Sequence, residues 1–159
     1  MEQAMISGVT NDTSEAKITL AHVPDQPGVA AKVFRALADE AINVDMIVQN
    51  VSTAGHTDIS FTLPKEDLAR AGKVMEQVVA DVDASGFTSD QHIGRVSLVG
   101  AGMKTHPGVA ATMFEVLARE GVNIEMISTS SIRISCVVQE DDVEKAVRAL
   151  HDAFELEKA

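Results

Sequence analysis

Hydrophobic and polar positions along this chain follow one pattern that occurs twice. Residues 27–47 read PGVAAKVFRALADEAINVDMI and residues 107–127 read PGVAATMFEVLAREGVNIEMI, with 12 of the 21 aligned residues identical. A repeat spacing of 80 positions is too long for the unit of a repeat array and suits a small domain with a core of its own. The pattern therefore predicts two homologous modules.

Each module is predicted to contain the same order of elements. Alternating apolar positions and β-branched runs indicate strands, and a Pro-Gly pair followed by an apolar stripe at helical spacing indicates the first of two helices. The predicted strands are residues 17–23, 44–51 and 57–63 in the first module and 95–99, 122–129 and 132–138 in the second. The predicted helices begin at Pro27 and Pro107 and span residues 65–82 and 141–154. The first module carries five additional residues between its two central strands, at about 51–56.

The order β-α-β-β-α with one further strand is that of the ferredoxin-like fold, an antiparallel sheet with two helices on one face. The first module has its last strand at 86–92, but the second has no such segment after its second helix. The apolar segment Met5–Val9 is left over, and a sheet without its edge strand would expose unpaired backbone groups. We therefore predict an α+β protein of two ferredoxin-like (βαββαβ) domains in tandem. The first (16–91) is inserted into the second (92–155), which an N-terminal strand at 4–9 completes.

Composition and charge narrow the range of partners. The 159 residues include 24 acidic and 13 basic side chains, for a net charge of −11 at pH 7, which disfavours nucleic acid and anionic membranes. No apolar run approaches the roughly 20 residues of a membrane-spanning helix. The N-terminus MEQAMISG lacks the basic and apolar segments of a secretion signal. We expect a cytoplasmic protein with no nucleic-acid partner and no membrane partner.

Little in the sequence points to catalysis. The five histidines show neither H-x-x-x-H spacing nor clustering with cysteine, so no metal site is predicted. The single cysteine, Cys136, has apolar neighbours and no recognisable base, which favours a buried, inert thiol. The Gly100-Ala101-Gly102 segment completes no phosphate-binding motif. We therefore expect no catalytic residues and no cofactor.

The turns that precede the first helix of each module, residues 24–28 and 104–108, point instead to ligand binding. Backbone N–H groups at a helix N-terminus lack intrahelical partners and attract a carboxylate, and a glycine lets a ligand approach closely. Asp25 in the first turn could hold an ammonium group. Together these features would form a receptor for a free amino acid. An ordinary capped turn is the alternative interpretation.

Four segments carry a specific resemblance. The turn DQPGVA, the strand VDMIVQNVS, the segment VSLVGAGMKTHPGV and the hairpin NIEMISTSSIRIS closely resemble the paired ACT domains at the C-terminus of the aspartate kinase family. The resemblance runs from Met1 to about Phe154 and does not include the kinase core. It implies a non-catalytic regulatory region, either the separate regulatory β subunit of the heteromeric branch or an excised regulatory domain. A catalytic α subunit and a homodimer of ACT pairs are implied as its assembly.

The same resemblance implies an effector, L-threonine with L-lysine as the second candidate, bound at interfaces between ACT domains for feedback inhibition of aspartate-family biosynthesis. The implied effector-binding residues are Asp25, Gly28, Val29, Ala30 and Gln49 in the first module and Asn123 and Ile124 in the second. Amide side chains both donate and accept hydrogen bonds, which suits a hydroxyl or a zwitterion. Gln49 could equally be a strand-end polar residue. Asn123 could be a turn residue, since Asn43 takes its place in the first module.

Two positions depart from the family pattern. Ser131 stands where relatives usually carry glutamate, and Ala110 stands where many carry threonine. The first difference removes a carboxylate that a cationic effector such as lysine could use, and the second removes a hydroxyl near the expected pocket.

Two other classes of function remain open. One is a stand-alone tandem-ACT sensor of another amino acid that regulates a different enzyme, a transporter or gene expression. The other is an enzyme built on this fold. Co-purification with a catalytic chain would argue against the first class, and turnover by the isolated chain would support the second.

Overall fold

The computed structural model describes residues 5–50, 54–101 and 106–155, and the chain divides into two compact units. One unit comprises residues 14–91, and the other combines the N-terminal strand with the chain from residue 92 onward. The strands are β1 (Met5–Asp12), β2 (Glu15–Pro24), β3 (Ile47–Gln49), β4 (His56–Pro64), β5 (Gly86–Asp90), β6 (Ile93–Ala101), β7 (Met126–Thr129) and β8 (Arg133–Gln139). The helices are α1 (Val29–Asp39), α2 (Leu68–Val82), α3 (Pro107–Arg119) and α4 (Val143–Ala153).

Each unit contains a four-stranded antiparallel sheet. The strand order is β3-β4-β2-β5 in the unit of residues 14–91 and β1-β6-β8-β7 in the other. β1 pairs with β6, with Val9 opposite Leu98, so the N-terminal segment supplies the edge strand of the second sheet. These sheets confirm an α+β fold of two ferredoxin-like domains, the first inserted into the second.

Each unit has its own hydrophobic core between the sheet and the helices. In the first, Val33 and Leu37 of α1 are fully buried in one cluster with Phe61 of β4. In the second, Met113 and Leu117 of α3 take the equivalent places. The repeated helical stripe in the sequence thus buries the same face of the helix twice. None of the helices in the described part of the chain combines the length and apolar character that a membrane crossing requires.

The edge strands are shorter than the sequence predicts. Residues 44–50 and 122–129 form only the short strands β3 and β7, and position 51 of the first predicted strand lies outside the described residues. Before β3, the Met46 N–H donates to the side-chain oxygen Oγ1 of Thr62 at 3.0 Å instead of to a backbone carbonyl. A side-chain acceptor of this kind interrupts a regular ladder, which delays the start of the strand to Ile47.

The two first helices also begin differently. Pro107 is the first residue of α3, as the sequence predicts. The prediction for Pro27 is wrong, because α1 begins at Val29 after Gly28, whose left-handed backbone (φ 93°) ends the preceding turn. Gly28 needs this conformation to redirect the chain from β2 into the helix.

Candidate ligand-binding site

The turn that links β2 to α1 presents open backbone donors. The Val29 N–H donates to the Gln26 carbonyl oxygen at 3.3 Å, which closes the turn. The N–H groups of Ala30 and Ala31 have no backbone acceptor among the residues that the structure describes. Gly28 caps the helix and has no side chain that could occupy these donors. The first turn of α1 can therefore bind a carboxylate.

Asp25 lies on the exposed side of this turn. Its N–H donates to the Gly55 carbonyl oxygen at 2.9 Å, which holds the turn against the loop before β4. The side chain of Asp25 is exposed, so its carboxylate is accessible to a cation. An acceptor for an ammonium group thus lies in the same turn as the donors for a carboxylate.

Of the two helix residues predicted for the site, Ala30 is the better placed. The side chain of Val29 packs against the core, and its N–H is used within the turn. Ala30 is half-buried and combines an open N–H with a small methyl group. Val29 therefore stays a predicted site residue whose contribution is chiefly to fix the start of the helix.

Gln49 is the last residue of β3 on the edge of its sheet. It is exposed and lies opposite Ile59 of β4. Opposite residues of an antiparallel pair point to the same face, and Ile59 belongs to the core beneath the helices. Pro24 pairs with His56 near the start of the same β4 strand. Gln49 therefore lies at the end of the sheet that carries the Asp25 turn and on the face that carries α1.

Asn123 and Ile124 belong to the other unit. The sequence predicts them at the start of a strand, but they lie in the connection before β7, because the chain is still closing the C-terminus of α3. There the Val122 N–H donates to the Leu117 carbonyl oxygen at 2.9 Å, a common way to end a helix. Asn123 is exposed, whereas Ile124 packs against the core. A pocket shared by these residues and the Asp25 turn remains a prediction.

A cavity of about 530 Å³ lies at the repeat-equivalent place in the second unit, between the start of α3 and the β7–β8 hairpin. Its lining residues are His106, Pro107, Ala110, Thr129, Ser130, Ser131 and Ile134. Ala110 and Ser131, which the family pattern singles out separately, line this same cavity. Thr129 and Ser130 were not predicted as site residues, although the STSS run indicates a hairpin rich in hydroxyl groups. None of the described lining residues carries a carboxylate.

A second groove, of about 560 Å³, lies between β1 and α4 and is lined in part by Asn11, Val143 and His151. It shares no residue with the predicted site. The strand β1 is one edge of the second unit's sheet, and β7 is the opposite edge. The groove is therefore separated from the β7–β8 hairpin.

The described residues offer neither a reactive cysteine nor a cluster of metal ligands. Cys136 is fully buried, and desolvation by that burial raises its pKa from 9.0 to about 12. It is therefore a thiol at neutral pH and not a nucleophile. Within residues 5–50, 54–101 and 106–155, no group of three or more histidine, cysteine, aspartate or glutamate side chains could hold a metal ion. The open donors and the accessible Asp25 carboxylate suit reversible binding of a zwitterion.

The sequence matches the family described as ACT domain over residues 12–78 and 96–154. Among its relatives is the aspartokinase of Corynebacterium efficiens, 52% identical over 158 residues, a match that covers 98% of this chain and 38% of that protein. The chain thus spans little more than a third of the length of the aspartokinase that it matches.

Two solved structures are similar over nearly their full length. The structure of aspartokinase alpha and beta subunits has a TM-score of 0.91 and 43% identity, with 96% of this chain and 100% of that chain covered. The ligand-free regulatory subunit of aspartate kinase from Thermus thermophilus has a TM-score of 0.89 and 42% identity, with 94% of this chain and 98% of that chain covered.

Proposed function

Because this chain belongs to the ACT domain family and corresponds to the non-catalytic regulatory part of aspartokinases, we propose that it binds a free amino acid and regulates an aspartate kinase. One observation carries the proposal. The turn before α1 combines open N–H groups with the accessible carboxylate of Asp25. An α-amino acid carries the complementary pair, a carboxylate and an ammonium group on one carbon atom.

The proposed effector is L-threonine. Its carboxylate would accept hydrogen bonds from the first turn of α1, chiefly from the Ala30 N–H, and its ammonium group would donate to Asp25. Gly28 leaves open space beside the turn, since an added Cβ would meet no atom within 4 Å. The amide of Gln49 can both donate to and accept from a hydroxyl group, which supports threonine over an aliphatic amino acid.

Asn123 and Ile124 are proposed to complete the pocket from an ACT domain of the second module, in a cytoplasmic homodimer of ACT pairs. A ligand that touches two domains binds better to the arrangement in which both are in reach. The ligand can shift the equilibrium between the two arrangements only by the difference between its affinities for them. Threonine would thus favour one arrangement of the ACT domains, which the catalytic α subunit reads as inactive.

Lysine is the weaker candidate at the second-module cavity. A lysine side chain brings an ammonium group that needs an acceptor or a carboxylate when it is removed from water. Ser131 supplies only a hydroxyl where relatives usually carry a carboxylate, and the side chain of Ala110 has no polar group. This chemistry supports a response to threonine with little or no response to lysine.

Calorimetry on the isolated chain tests the proposal, with a panel of the twenty amino acids as ligands. We expect threonine to bind and lysine to bind weakly or not at all. Asp25→Asn removes one charge-assisted hydrogen bond, worth roughly 1.5–3 kcal/mol, and should weaken threonine binding by about tenfold or more.

Asp39→Asn is the matched control. Asp39 is exposed at the end of α1, where its carboxylate lies 3.7 Å from Arg35, so the substitution makes the same charge change in the same unit. Unchanged binding is expected there. If Asp25→Asn and Asp39→Asn bind threonine equally, Asp25 is not in the site. If another amino acid binds and threonine does not, the chain is a sensor of that amino acid.

A further inference from the structure

Two histidines form a stacked pair beside the Asp25 turn. The ring centroids of His22 and His56 are 3.9 Å apart, and the ring planes differ by 5°. His22 is exposed near the end of β2, and His56 is half-buried as the first residue of β4. The sequence gives no sign of this contact, because 34 positions separate the two residues.

A bulge in β2 brings the rings together. The pairing of β2 with β4 shifts register between Leu20 and Val23, and His22 takes a left-handed backbone with φ 55°. The His22 N–H leaves the ladder and donates to the Asp58 carboxylate at 2.9 Å. Bulges of this kind redirect a side chain, and here the redirected ring lies against His56.

The pair is connected to the turn through the loop before β4. The His56 Nδ1 atom lies 3.3 Å from the Ala54 carbonyl oxygen, and because a carbonyl oxygen can only accept, Nδ1 is the donor. The next carbonyl, that of Gly55, accepts from the Asp25 N–H at 2.9 Å. A continuous set of contacts therefore runs from the stacked rings to Asp25.

Among the described residues of the second module, no stacked histidine pair is found. Its hairpin lacks the five residues that the first module carries at about 51–56. At the equivalent place it has the open cavity of about 530 Å³ beside Pro107. The histidine contact is thus a feature of the module that carries Asp25.

We propose that the stacked His22–His56 pair positions the Asp25 turn for effector binding and weakens that binding as the pH falls. This inference rests on the proposed function and adds a positioning pair to the same site. Histidine is the side chain that ordinarily gains its charge between about pH 8 and 5. Two imidazolium rings at 3.9 Å repel each other, so full protonation separates the rings and frees the loop that holds Asp25.

Two acidic residues are linked to the pair through backbone hydrogen bonds. The Asp58 carboxylate accepts from the His22 N–H, and the Asp25 N–H donates to Gly55, the neighbour of the Ala54 residue that His56 contacts. Repulsion between the rings arises when both carry a positive charge. Acid pH therefore lowers affinity, and neutral pH restores it.

Three variants separate positioning from simple structural damage. His56→Phe keeps an aromatic ring against His22 but cannot be protonated, and it also loses the hydrogen bond to Ala54. His56→Ala removes both the ring and the hydrogen bond to Ala54. His151→Gln is the control, because His151 lies in α4 of the other unit.

Calorimetry with threonine at about pH 7.5 and about pH 5.5 gives the first readout. We expect the parent and His151→Gln to bind about tenfold more weakly at the lower pH. His56→Phe keeps the ring contact and should lose most of the pH dependence. His56→Ala should be weaker at the higher pH and also independent of pH. The same pH dependence in His56→Phe and in the parent would overturn the proposal.

Nuclear magnetic resonance on the ligand-free chain gives a readout that does not need threonine. The Asp25 amide signal and its protection from hydrogen exchange should follow the titration of the two histidine rings in the parent but not in His56→Phe. If they do so and threonine binds at no pH, the proposed effector is wrong and the positioning pair stands. If the Asp25 amide signal and its protection do not change as the histidine rings titrate, the positioning role of the pair is refuted, whether or not threonine binds.

Discussion

Gly28 and Gly108 occupy equivalent places in the two modules, yet we expect opposite responses to alanine. Gly28 has a left-handed backbone with φ 93°, whereas Gly108 lies within α3 and has no positive φ. An added Cβ would meet no atom within 4 Å at either position. Neither substitution creates a clash, so the comparison isolates the backbone conformation.

The expected magnitudes follow from two opposing effects. Replacing glycine by alanine restricts the unfolded chain and stabilises a protein by about 0.4–1 kcal/mol where the native backbone suits alanine. A left-handed backbone costs a residue with a Cβ about 1–2 kcal/mol. Gly108→Ala should therefore have a free energy of unfolding at or above that of the parent. Gly28→Ala should lie about 1–2 kcal/mol below Gly108→Ala.

Urea denaturation followed by far-ultraviolet circular dichroism measures these free energies, because the chain contains no Trp and no Tyr for fluorescence. Threonine calorimetry on the same variants provides the functional readout. Gly28→Ala should weaken binding, because relief of the strain moves the first turn of α1, and Gly108→Ala should not. Gly28→Asn should recover part of the lost stability, since asparagine tolerates the left-handed region. Equal free energies for the two alanine variants would refute the reasoning, because the backbone of Gly28 would then carry no cost.

Three further outcomes are expected. Gly94→Ala should destabilise the second unit by about 1–3 kcal/mol in urea denaturation, because the added Cβ would clash with the side chain of Val143. Adding Val143→Ala to the same chain should recover part of this loss, and strictly additive effects of the two substitutions would contradict the clash. Cys136 should react with a thiol reagent only after unfolding, and rapid labelling of the folded chain would contradict its burial. Because the pKa of Cys136 in the folded chain, about 12, exceeds the ordinary 9.0, the free energy of unfolding should fall as the pH rises above 9.0. Gln49→Ala and Asn123→Ala should each make a reconstituted kinase resistant to threonine while uninhibited turnover stays within about threefold, and normal inhibition of either variant would contradict a pocket shared by two domains.

The sequence predicted the duplication and the order of elements. It also predicted that the N-terminal strand completes the sheet of the second unit. Each follows from local periodicity or from the need to pair a sheet edge, and both are properties of short segments. The Asp25 turn could be read in the same way, because an acidic residue and a Pro-Gly pair before an apolar helical stripe are local signals. Gln49 and Asn123 came from the resemblance to a family and not from any local pattern.

Tertiary structure alone decided what distinguishes the two modules at their turns. The segment PGVAA is the same at residues 27–31 and 107–111, yet Gly28 is left-handed and Gly108 is helical. Only the fold brings Ala110 and Ser131 into one cavity and stacks His22 on His56. The physical reason is that these features depend on contacts between distant residues and on strand register. A single bulge or a hairpin of different length changes both the strand register and the contacts between distant residues, and the local hydrophobic pattern does not reveal either change.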